Sequence, residues 1–496
     1  MEIKRINGYD LKDEIARINI SKIYANNVAD MKIKNLVIGD VVKTLGYYES
    51  NDGGQGLYLI RSKTDSDIDN GGTIHILNNN LVAELIVEDK VNAKQFGAKG
   101  DNNQDDTLFI QKALDYCSEK SIGLFIPAGK YKITDTLNNT GVNVEGDGCR
   151  NTIFIPVNCD TMKLNQFNAQ YVCVISKFAI CPDSLLTENG GIVFTEYDAV
   201  TERSRGYKLT DLYFNYLGCA IEVNDSFRTT ICDVGINKCI RGVWVKRQTV
   251  QGSFYNVVSN CDLTGVSSSR YGNKTIGFQI GKSGDSVRPE GIKLHHVCMT
   301  AHDIGLYIHD VLYCTVCECE FDYCHENGIY TLSHEGNLTI RDSWVVSDGN
   351  TAEPVVKVQT ASTTNKYRLN LINNLIGNVN GHAEKMGIRV GGGESHYFKH
   401  GVNIDGNVIK NFNGAIPLQY GIYVNRARNC NISNNYAHGC SEADIYFLPD
   451  IKGTLINNKA DKIKLYLFAG ITLYAYANIC ESYNNTIGGT LIGDIK

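Results

Sequence analysis

The sequence reads LINNLI at 371–376, IDGNVI at 404–409, ISNNYA at 432–437 and LINNKA at 455–460. Each segment has an apolar residue at relative position 0, an Asn at position 3 and an apolar residue at position 5. Apolar residues that alternate with polar ones predict strands, and self-similarity above a spacing of about twenty residues predicts stacked coils. An Asn at the same turn position of successive coils is expected to bond amide to amide along the stack.

The same spacing extends back along the chain. Position 0 is held by Leu209, Ile231, Val258, Leu294, Val316, Ile340, Leu371, Ile404, Ile432 and Leu455. A second ladder lies between these segments. Each of its members is a pair of mostly apolar residues with one residue between them, and the pair comes just after a Gly or another small residue. Its pairs are Ile192/Phe194, Ile221/Val223, Val243/Val245, Phe278/Ile280, Leu306/Ile308, Ile329/Thr331, Val356/Val358, Ile388/Val390, Ile422/Val424, Ile445/Phe447 and Ile471/Leu473. Two ladders in step favour a solenoid of parallel strands; the alternative, an antiparallel sandwich, would show hairpins about every 8 to 12 residues.

Charge and composition disfavour several classes of partner. The 496 residues carry a net charge of -6, with 43% hydrophobic and 21% charged residues. This balance disfavours nucleic acid and anionic membrane as partners. The start, MEIKRINGYDLKDE, lacks the apolar core of a signal peptide, and no apolar run is long enough to cross a bilayer, so we expect synthesis in a host cytoplasm. The 17 cysteines stand mostly singly in alternating apolar runs and are predicted to be reduced core residues.

The segment that opens the solenoid has its own pattern. VNAKQFGAKGD at 91–101 reads as a short strand that ends in a Gly turn, and Asp105 or Asp106 is expected to cap a helix. That helix carries one apolar stripe, made of Phe109, Ile110, Ala113, Leu114 and Cys117, and would cover the open first coil. GLFIPAGKY at 123–131 and VEGDG at 144–148 then predict further strands and turns.

At these residues the sequence resembles the pectate-lyase-like superfamily of right-handed parallel β-helices, in the branch of phage tail spikes and appendage proteins. The resemblance implies an all-β chain with an N-terminal domain over 1–90, an opening segment with a capping helix over 91–150, and a right-handed parallel β-helix over 151–496. The family includes lyases, hydrolases, epimerases and proteins that only bind. The fold therefore does not settle the reaction.

Two features precede the solenoid. GDVVKTLGYY at 39–48 and the residues at 52–60 resemble the short module that often precedes this motif in phage proteins, which implies attachment to the virion tail or baseplate. Leu11, Ile15 and Ile18 recur at helical spacing over 9–24 and predict a short helix, packed either on the surface or along a trimer axis. The homotrimer itself is implied by the resemblance alone.

Candidate catalytic residues come from strand alternation and from the stacking of coils. Alternation along one strand places Glu318, Glu320 and Asp322 on the outer surface of a coil. It places Cys317, Cys319 and Phe321 on the inner side of the same strand. Stacking places Asp211, Asp233, Asn260, His296, Glu318 and Asp342 in one column, and Asp262, Cys298, Glu320 and Trp344 in the next. A glycosidase needs one carboxyl to protonate the leaving oxygen, a second to activate water or attack, and an aromatic face for a sugar ring. The strip predicts Glu318, Glu320, Asp322, Asp342 and Asp262 as catalytic, and His296, Trp344 and Arg341 as substrate-binding. Outer strands of a β-helix also carry charge simply to stay soluble.

Lyase chemistry and metal binding are the alternatives at this strip. A lyase would use Arg341 or His296 as its base and would neutralise the substrate carboxylate with Ca²⁺ or Arg. Cys314 and Cys317 have a CxxC spacing, with Cys319 and Cys324 nearby, but alternation with apolar residues predicts core positions for Cys319 and Cys324. We therefore predict no metal centre and no cofactor, apart from the Ca²⁺ of a lyase.

The sequence predicts a homotrimeric protein of the virion tail that binds a bacterial surface polysaccharide and cleaves it, by hydrolysis rather than by β-elimination. The competing class is a receptor-binding fibre, an adhesin without turnover. A free bacterial polysaccharide lyase or epimerase is disfavoured by the lack of an export signal and by the upstream module. After Leu455 only about two further strands are expected, so recognition and any catalysis are predicted to lie on the solenoid itself.

Overall fold

The computed structural model describes residues 23–165, 172–194, 206–247, 255–268, 272–283, 287–332, 335–349, 351–360, 366–392, 401–412, 414–449, 452–487 and 490–495. Leu11, Ile15 and Ile18, on which the predicted N-terminal helix depends, lie outside these residues.

The N-terminal module is a small mixed sheet with its own core. Its strands are Ile23–Ala25, Val41–Thr44, Leu57–Ser62, Ile74–Ile76 and Leu81–Leu85, and the first two pair in parallel while the others are antiparallel. Helix α1 (Val28–Ile33) buries Val28 and Met31 against this sheet. The Tyr48 hydroxyl donates a hydrogen bond to the Gly97 carbonyl (2.8 Å), so the module rests on the start of the solenoid. A role of residues 1–90 in attachment stays a prediction.

From Lys90 onward, the described residues include 37 strands that form one parallel sheet, and this sheet winds into a right-handed solenoid with three faces. Face 1 consists of Leu137–Asn139, Met162–Leu164, Gly190–Phe194, Cys219–Asn224, Arg241–Lys246, Ile276–Ile280, Ile304–His309, Asn327–Leu332, Val356–Thr360, Met386–Gly392, Tyr420–Ala427 and Ala443–Pro449. Face 2 consists of Lys90–Asn92, Gly123–Ile126, Val144–Gly146, Tyr313–Cys317, Glu335–Arg341, Lys366–Ile372, Val402–Asp405, Cys430–Ser433, Lys452–Ile456 and Thr490–Ile495. Face 3 consists of Asp101–Asp105, Gly129–Ile133, Thr152–Pro156, Glu320–Cys324, Trp344–Ser347, Leu375–Asn378, Val408–Asn411 and Tyr436–Ala437.

Longer strands pass from one face to the next without a break. Those that bend from face 2 into face 3 are Cys173–Ile180, Tyr207–Asn215, Thr230–Asn237, Val257–Thr264 and Ile292–Thr300. Lys459–Leu467 continues from face 3 into face 1, and Thr472–Ile487 contributes to all three faces. Each complete coil therefore follows the order face 1, face 2, face 3.

Both ladders predicted from the sequence are present in the strand register. The ladder that begins at Leu209 pairs coil by coil as far as Leu455 on face 2, and its position 5 residues pair from Phe214 to Ala460 on face 3. The paired apolar ladder runs along face 1 from Ile192 to Ile445. Both ladders point inward, because their apolar members are almost fully buried. The all-β, right-handed parallel β-helix predicted from the sequence is confirmed.

The last predicted pair of the face 1 ladder is wrong. Ile463 and Leu465, not Ile471 and Leu473, stack on Ile445 and Phe447. Leu473 instead pairs with Gly453 on face 2. The final coils are shorter than the earlier ones. The spacing of the earlier coils therefore predicted the next face 1 pair too late in the sequence, at residues that lie on face 2.

An asparagine ladder forms at the bend between faces 2 and 3, as predicted. The side-chain amide of each Asn donates to the Oδ1 of the Asn one coil further on, at 2.9 to 3.0 Å. The ladder residues are Asn374, Asn407, Asn435, Asn458 and also Asn478, which the sequence pattern had not included. Each Oδ1 also accepts the backbone N–H of the preceding Asn, which satisfies buried polar groups at the bend.

Helix α2 (Thr107–Lys120) packs its apolar stripe against the solenoid core, where Ile110, Ala113, Leu114 and Cys117 are buried. Asp106 occupies the N-cap position, but its carboxylate accepts the backbone N–H groups of Lys99 and Gly100 instead of capping the helix. The Asp105 carboxylate accepts the Thr107 N–H (3.1 Å). Both aspartates therefore fix the loop before α2, and Asp105 satisfies the first helical amide.

All 17 cysteines are free thiols. Cys319 and Cys324 are buried in the solenoid core among apolar side chains, as the alternation predicted, and Cys314 is buried there as well. No helix among the described residues is long and apolar enough to span a membrane.

Candidate functional site

The bend between faces 2 and 3 holds one residue of each coil in the left-handed conformation. Asp211, Asp233, Asn260, His296, Glu318 and Asp342 have φ values between 51° and 56°. Asn, Asp and His enter this region more readily than other residues with a Cβ, so the backbone itself explains most of this column. Glu318 thus lies between the strands Tyr313–Cys317 and Glu320–Cys324. The predicted alternation from Glu318 to Asp322 is present in the burial of the side chains: Glu318 and Glu320 are exposed and Asp322 is half-buried, while the residues between them are buried. Glu318, however, lies at the bend and not in the strand that holds Glu320.

Three of the predicted carboxylates lie together on face 3. The register places Asp262 next to Cys298, Cys298 next to Glu320, and Glu320 next to Trp344, with Asp322 beside Thr300. We call Asp262, Glu320, Asp322 and Trp344 the acidic patch. Burial raises the pKa of the Cys298 thiol, and the charges of Glu320, Asp262 and Asp322 raise it further. All three carboxylates therefore lie near the Cys298 thiol.

The spacing of these carboxylates follows from strand geometry. Glu320 and Asp322 are two residues apart in one strand, which separates their Cα atoms by roughly 7 Å. Asp262 and Glu320 are two coils apart, or roughly 9 to 10 Å. Both separations leave space for a water molecule or a sugar oxygen between two carboxyl groups.

An aromatic side chain borders the patch. The Trp344 indole N–H donates to Asp322 Oδ1 (3.1 Å), which holds the carboxylate and the ring in a fixed relation. The Trp344 ring lies 5.4 Å from the Phe412 ring and is 37% exposed. Asp262 and Glu320 are exposed, and Asp322 is half-buried. The patch thus offers carboxylates and an apolar ring to the same ligand.

The other predicted site residues form two pairs at the bend. His296 Nε2 lies 2.5 Å from Glu318 Oε2, and His295 Nε2 lies 3.3 Å from the same oxygen. One coil further on, Arg341 Nη1 lies 2.5 Å from Asp342 Oδ2. The sequence had placed these residues in one strip with Glu320. The structure places them at the bend, beside the acidic patch. Arg341 and Asp342 form an ion pair with each other.

A column of aromatic side chains on face 1 was missed from the sequence. In the register of this column Gln279 separates the first aromatic residue from the next two, and Lys357 and Arg389 separate those from the last two. The aromatic members are Trp244, Tyr307, Tyr330, Tyr423 and Tyr446. The rings of Tyr423 and Tyr446 stack 5.0 Å apart at an angle of 7°. Lys357 Nζ lies 4.6 Å from the centre of the Tyr330 ring. The column could have been predicted from the sequence, because each of these aromatic residues is the residue between the two members of a face 1 ladder pair.

Comparison with known proteins agrees with the fold. A family described as "Rhamnogalacturonase A/epimerase, pectate lyase-like" matches residues 90–170. No curated protein matches this chain in sequence. The likeness to pectate-lyase-like β-helices that was predicted from the opening motif is therefore supported at the residues that carry it.

Two solved tailspike structures share the architecture. Full-length tailspike protein 2 from the Escherichia coli O157:H7 bacteriophage CAB120 superposes with a TM-score of 0.54 at 13% identity, over 86% of this chain and 52% of the tailspike. The enzymatically active domain of tailspike protein 2 from bacteriophage CBA120 superposes with a TM-score of 0.50 at 12% identity, over 84% of this chain and 57% of that domain. The chain thus spans about half the length of the tailspike structures that it matches. The predicted tail-spike-like, pectate-lyase-like β-helix is confirmed at the level of the fold.

Proposed function

We propose, since the chain folds as a pectate-lyase-like parallel β-helix, that it binds a bacterial surface polysaccharide and hydrolyses it at the acidic patch of face 3. The observation that carries the proposal is the contact of Trp344 with Asp322 beside the exposed Glu320. It brings two carboxyl groups and an aromatic ring to one surface. This is the minimal set for protonating a leaving oxygen, activating water and holding a sugar ring.

The roles of the two nearest carboxyl groups follow from their surroundings. The indole N–H orients Asp322, so this carboxylate is suited to hold and deprotonate a water molecule. Glu320 is exposed and borders the Trp344 ring in the register, so it can reach the glycosidic oxygen of a sugar held on that ring and takes the role of the acid in this proposal. The Cα atoms of Glu320 and Asp322 are roughly 7 Å apart, and inversion of the anomeric centre requires the two carboxyl groups to keep a separation of about 6.5 to 9.5 Å. Asp262, two coils away, would contact a neighbouring sugar.

The test is incubation with capsule and wall glycans from candidate hosts, while reducing ends and the absorbance of unsaturated sugars are followed together. We expect new reducing ends without that absorbance. Glu320→Gln and Asp322→Asn should each lower kcat by about 10²-fold to 10⁴-fold. Glu442→Gln is a matched control, because Glu442 is an exposed glutamate that pairs with Lys464 elsewhere on the solenoid.

Two other outcomes would replace hydrolysis. Unsaturated products that disappear when Ca²⁺ is chelated would indicate β-elimination, with Arg341 or His296 as the base. Tight binding with neither product would indicate an adhesin. In both cases the Glu320 and Asp322 variants would not show the loss expected of a hydrolytic pair.

The adhesin is the second candidate, and the aromatic column of face 1 favours it. Stacked rings with flanking cations bind sugars through apolar faces and anionic groups without any need for a paired acid and base. If binding occurs there, Tyr423→Ala and Tyr446→Ala should weaken glycan affinity by about tenfold or more, while Glu320→Gln should leave affinity unchanged. The reverse pattern would place recognition on face 3.

We also propose that residues 1–90 attach the protein to a virion tail or baseplate, and that the chain assembles as a homotrimer. The separate core of the N-terminal module supports a role distinct from that of the solenoid. A pull-down of tail proteins by the full chain, compared with a chain that lacks residues 1–85, tests the attachment. Equal recovery of tail proteins by both chains would contradict it.

A further inference from the structure

Four side chains with metal-binding atoms meet at the bend between faces 2 and 3: His295, His296, Cys317 and Glu318. We call them the bend cluster. The strand register places His295 directly beside Cys317 on the next coil. Glu318 follows Cys317 in the left-handed conformation and brings its carboxylate over the pair. The donor atoms of His295, Cys317 and Glu318 all lie within 4.8 Å of one another.

The individual distances resemble those between the ligands of one metal ion. A tetrahedral zinc ion, with bonds of about 2.0 Å to nitrogen and 2.3 Å to sulfur, holds its ligand atoms roughly 3.3 to 3.8 Å apart. His295 Nε2 lies 3.3 Å from Glu318 Oε2. Cys317 Sγ lies 3.7 Å from Glu318 Oε1. Both distances are close to ligand separations, and they are measured to the two different oxygens of the Glu318 carboxylate, which lies between the imidazole and the thiol.

Burial gives the cluster a closed base and an open top. Cys317 is only 4% exposed, so its thiol lies at the base of the cluster. The side chains of His295 and Glu318 are 46% and 45% exposed. An ion bound between them would keep one position open to solvent or to a ligand.

His296 and Arg341 act from outside such a site. His296 Nε2 is 2.5 Å from Glu318 Oε2, which is too close for both atoms to bind one ion, so His296 hydrogen-bonds the carboxylate and orients it. Arg341 is next to Cys317 in the register. The Asp342 carboxylate, 2.5 Å away, balances the guanidinium charge that would otherwise repel a cation.

We propose that the bend cluster binds a zinc ion through His295, Cys317 and Glu318, with His296 orienting the carboxylate and a fourth position open. Imidazole, thiolate and carboxylate together suit Zn²⁺ and the closely related Co²⁺, whereas Ca²⁺ requires a shell of oxygen ligands. The thiol proton of Cys317 is released to solvent when the metal–sulfur bond forms. Because Glu318 lies two residues before Glu320, the open position lies close to the acidic patch.

Cobalt provides the test, because Co²⁺ bound by a thiolate has a charge-transfer absorption that oxygen and nitrogen ligands do not give. The full chain is freed of metal with a chelator and titrated with Co²⁺ while its absorption spectrum is recorded. We expect the band to saturate at one Co²⁺ per chain and to disappear when Zn²⁺ is added. Cys317→Ser should abolish the band, and His295→Ala should weaken binding by about tenfold or more.

Three variants make the result specific to this cluster. His296→Ala should keep the band, because His296 does not contact the ion. Cys480→Ser and His438→Ala should change neither the band nor the affinity, since both side chains are half-exposed and lie on distant coils. A protein without the band, or a band that persists in Cys317→Ser, would overturn the proposal. Circular dichroism of each variant separates loss of the site from loss of the fold.

Discussion

At the scale of single residues, the bend between faces 2 and 3 limits which side chains each coil accepts. The left-handed conformation costs an L-residue with an ordinary side chain roughly 1 to 2 kcal/mol, and Asn or Asp less. Asn373, Asn434 and Asn457 take this position in three of the later coils, but Ala477 takes it in the last bend with φ of 54°. Ala477 is exposed and has no side-chain hydrogen-bonding group to compensate.

Ala477→Asn is therefore predicted to stabilise the protein. The free energy of unfolding should rise by about 0.5 to 1 kcal/mol, because Asn tolerates the left-handed region that strains Ala. Urea unfolding followed by circular dichroism measures the change. The converse substitution one coil earlier, Asn457→Ala, should lower stability by a similar amount, and equal stability of Ala477→Asn and the unaltered chain would contradict this account of the column.

His302 shows how burial sets the protonation of one side chain. It is fully buried, and its Nε2 lies 3.1 Å from the Leu263 carbonyl, which can only accept, so Nε2 carries the proton. Burial lowers the pKa of His302 from 6.5 to about 4. In the unfolded chain His302 therefore binds a proton below about pH 6.5, whereas in the folded chain it binds one only below about pH 4.

His302→Gln should make the fold less sensitive to acid. The stability associated with neutral His302 is complete above pH 6.5 and is lost as the pH falls toward 4, a loss on the order of 3 kcal/mol. Gln keeps a donor for the Leu263 carbonyl but does not titrate. Urea unfolding at several pH values should show a shallower decline for the variant across this window. The half-exposed His438→Gln is the control, and an equal slope for His302→Gln and the unaltered chain would exclude His302 as a cause of acid sensitivity.

At the scale of elements, the asparagine ladder ties one bend to the next. The Asn435 side chain accepts from the backbone and side-chain N–H groups of Asn407 and donates to Ile404 and Asn458. Asn435→Ala would leave buried donors of Asn407 without acceptors, so we predict a loss of about 2 to 4 kcal/mol in the free energy of unfolding. Urea unfolding measures it.

A control for the ladder lies in the same coil. Asn431 is half-buried and donates to Asn403 Oδ1 (2.7 Å), in a place that water can reach. Asn431→Ala should cost less than about 1 kcal/mol, because water replaces the lost partner. Similar losses for Asn431→Ala and Asn435→Ala would mean that the ladder adds nothing beyond ordinary amide hydrogen bonds.

The elements also explain how far the sequence alone could reach. Both ladders were predictable, because inward-facing apolar residues recur in every coil whatever the loops between them do. The bend was not, since a left-handed residue leaves no trace in hydrophobic alternation, and Glu318 was therefore placed on the same strand face as Glu320. The meeting of His295 with Cys317 required the strand register between two coils. The Asp262, Glu320 and Trp344 column was predictable because it lies within the position 0 to 5 repeat.

At the scale of the whole molecule, apolar side chains stay exposed on the last coils. Ile456 and Tyr476 are neighbours in the register at the end of face 2, and Ile479 follows just beyond the bend. They are 36%, 45% and 62% exposed. Exposed apolar side chains that adjoin one another are a feature of contacts between proteins. Copies of this chain around a closed symmetry axis would cover them in the proposed homotrimer.

We predict that the chain elutes as a trimer, with three times its mass of 54.9 kDa by light scattering, and that Tyr476→Asp with Ile479→Asp converts it to monomers. Two carboxylates buried in each of the contacts would lose their hydration without gaining a partner, which costs several kcal/mol per charge. Ile68→Asp is the matched control, because Ile68 is 77% exposed but belongs to the N-terminal module. A monomeric unaltered chain would remove the trimer, and a trimer that survives the double change would place its axis along another surface of the solenoid. If monomers form and still release reducing ends, the acidic patch of one chain is a complete site; if cleavage is lost with assembly, a neighbouring chain contributes to it.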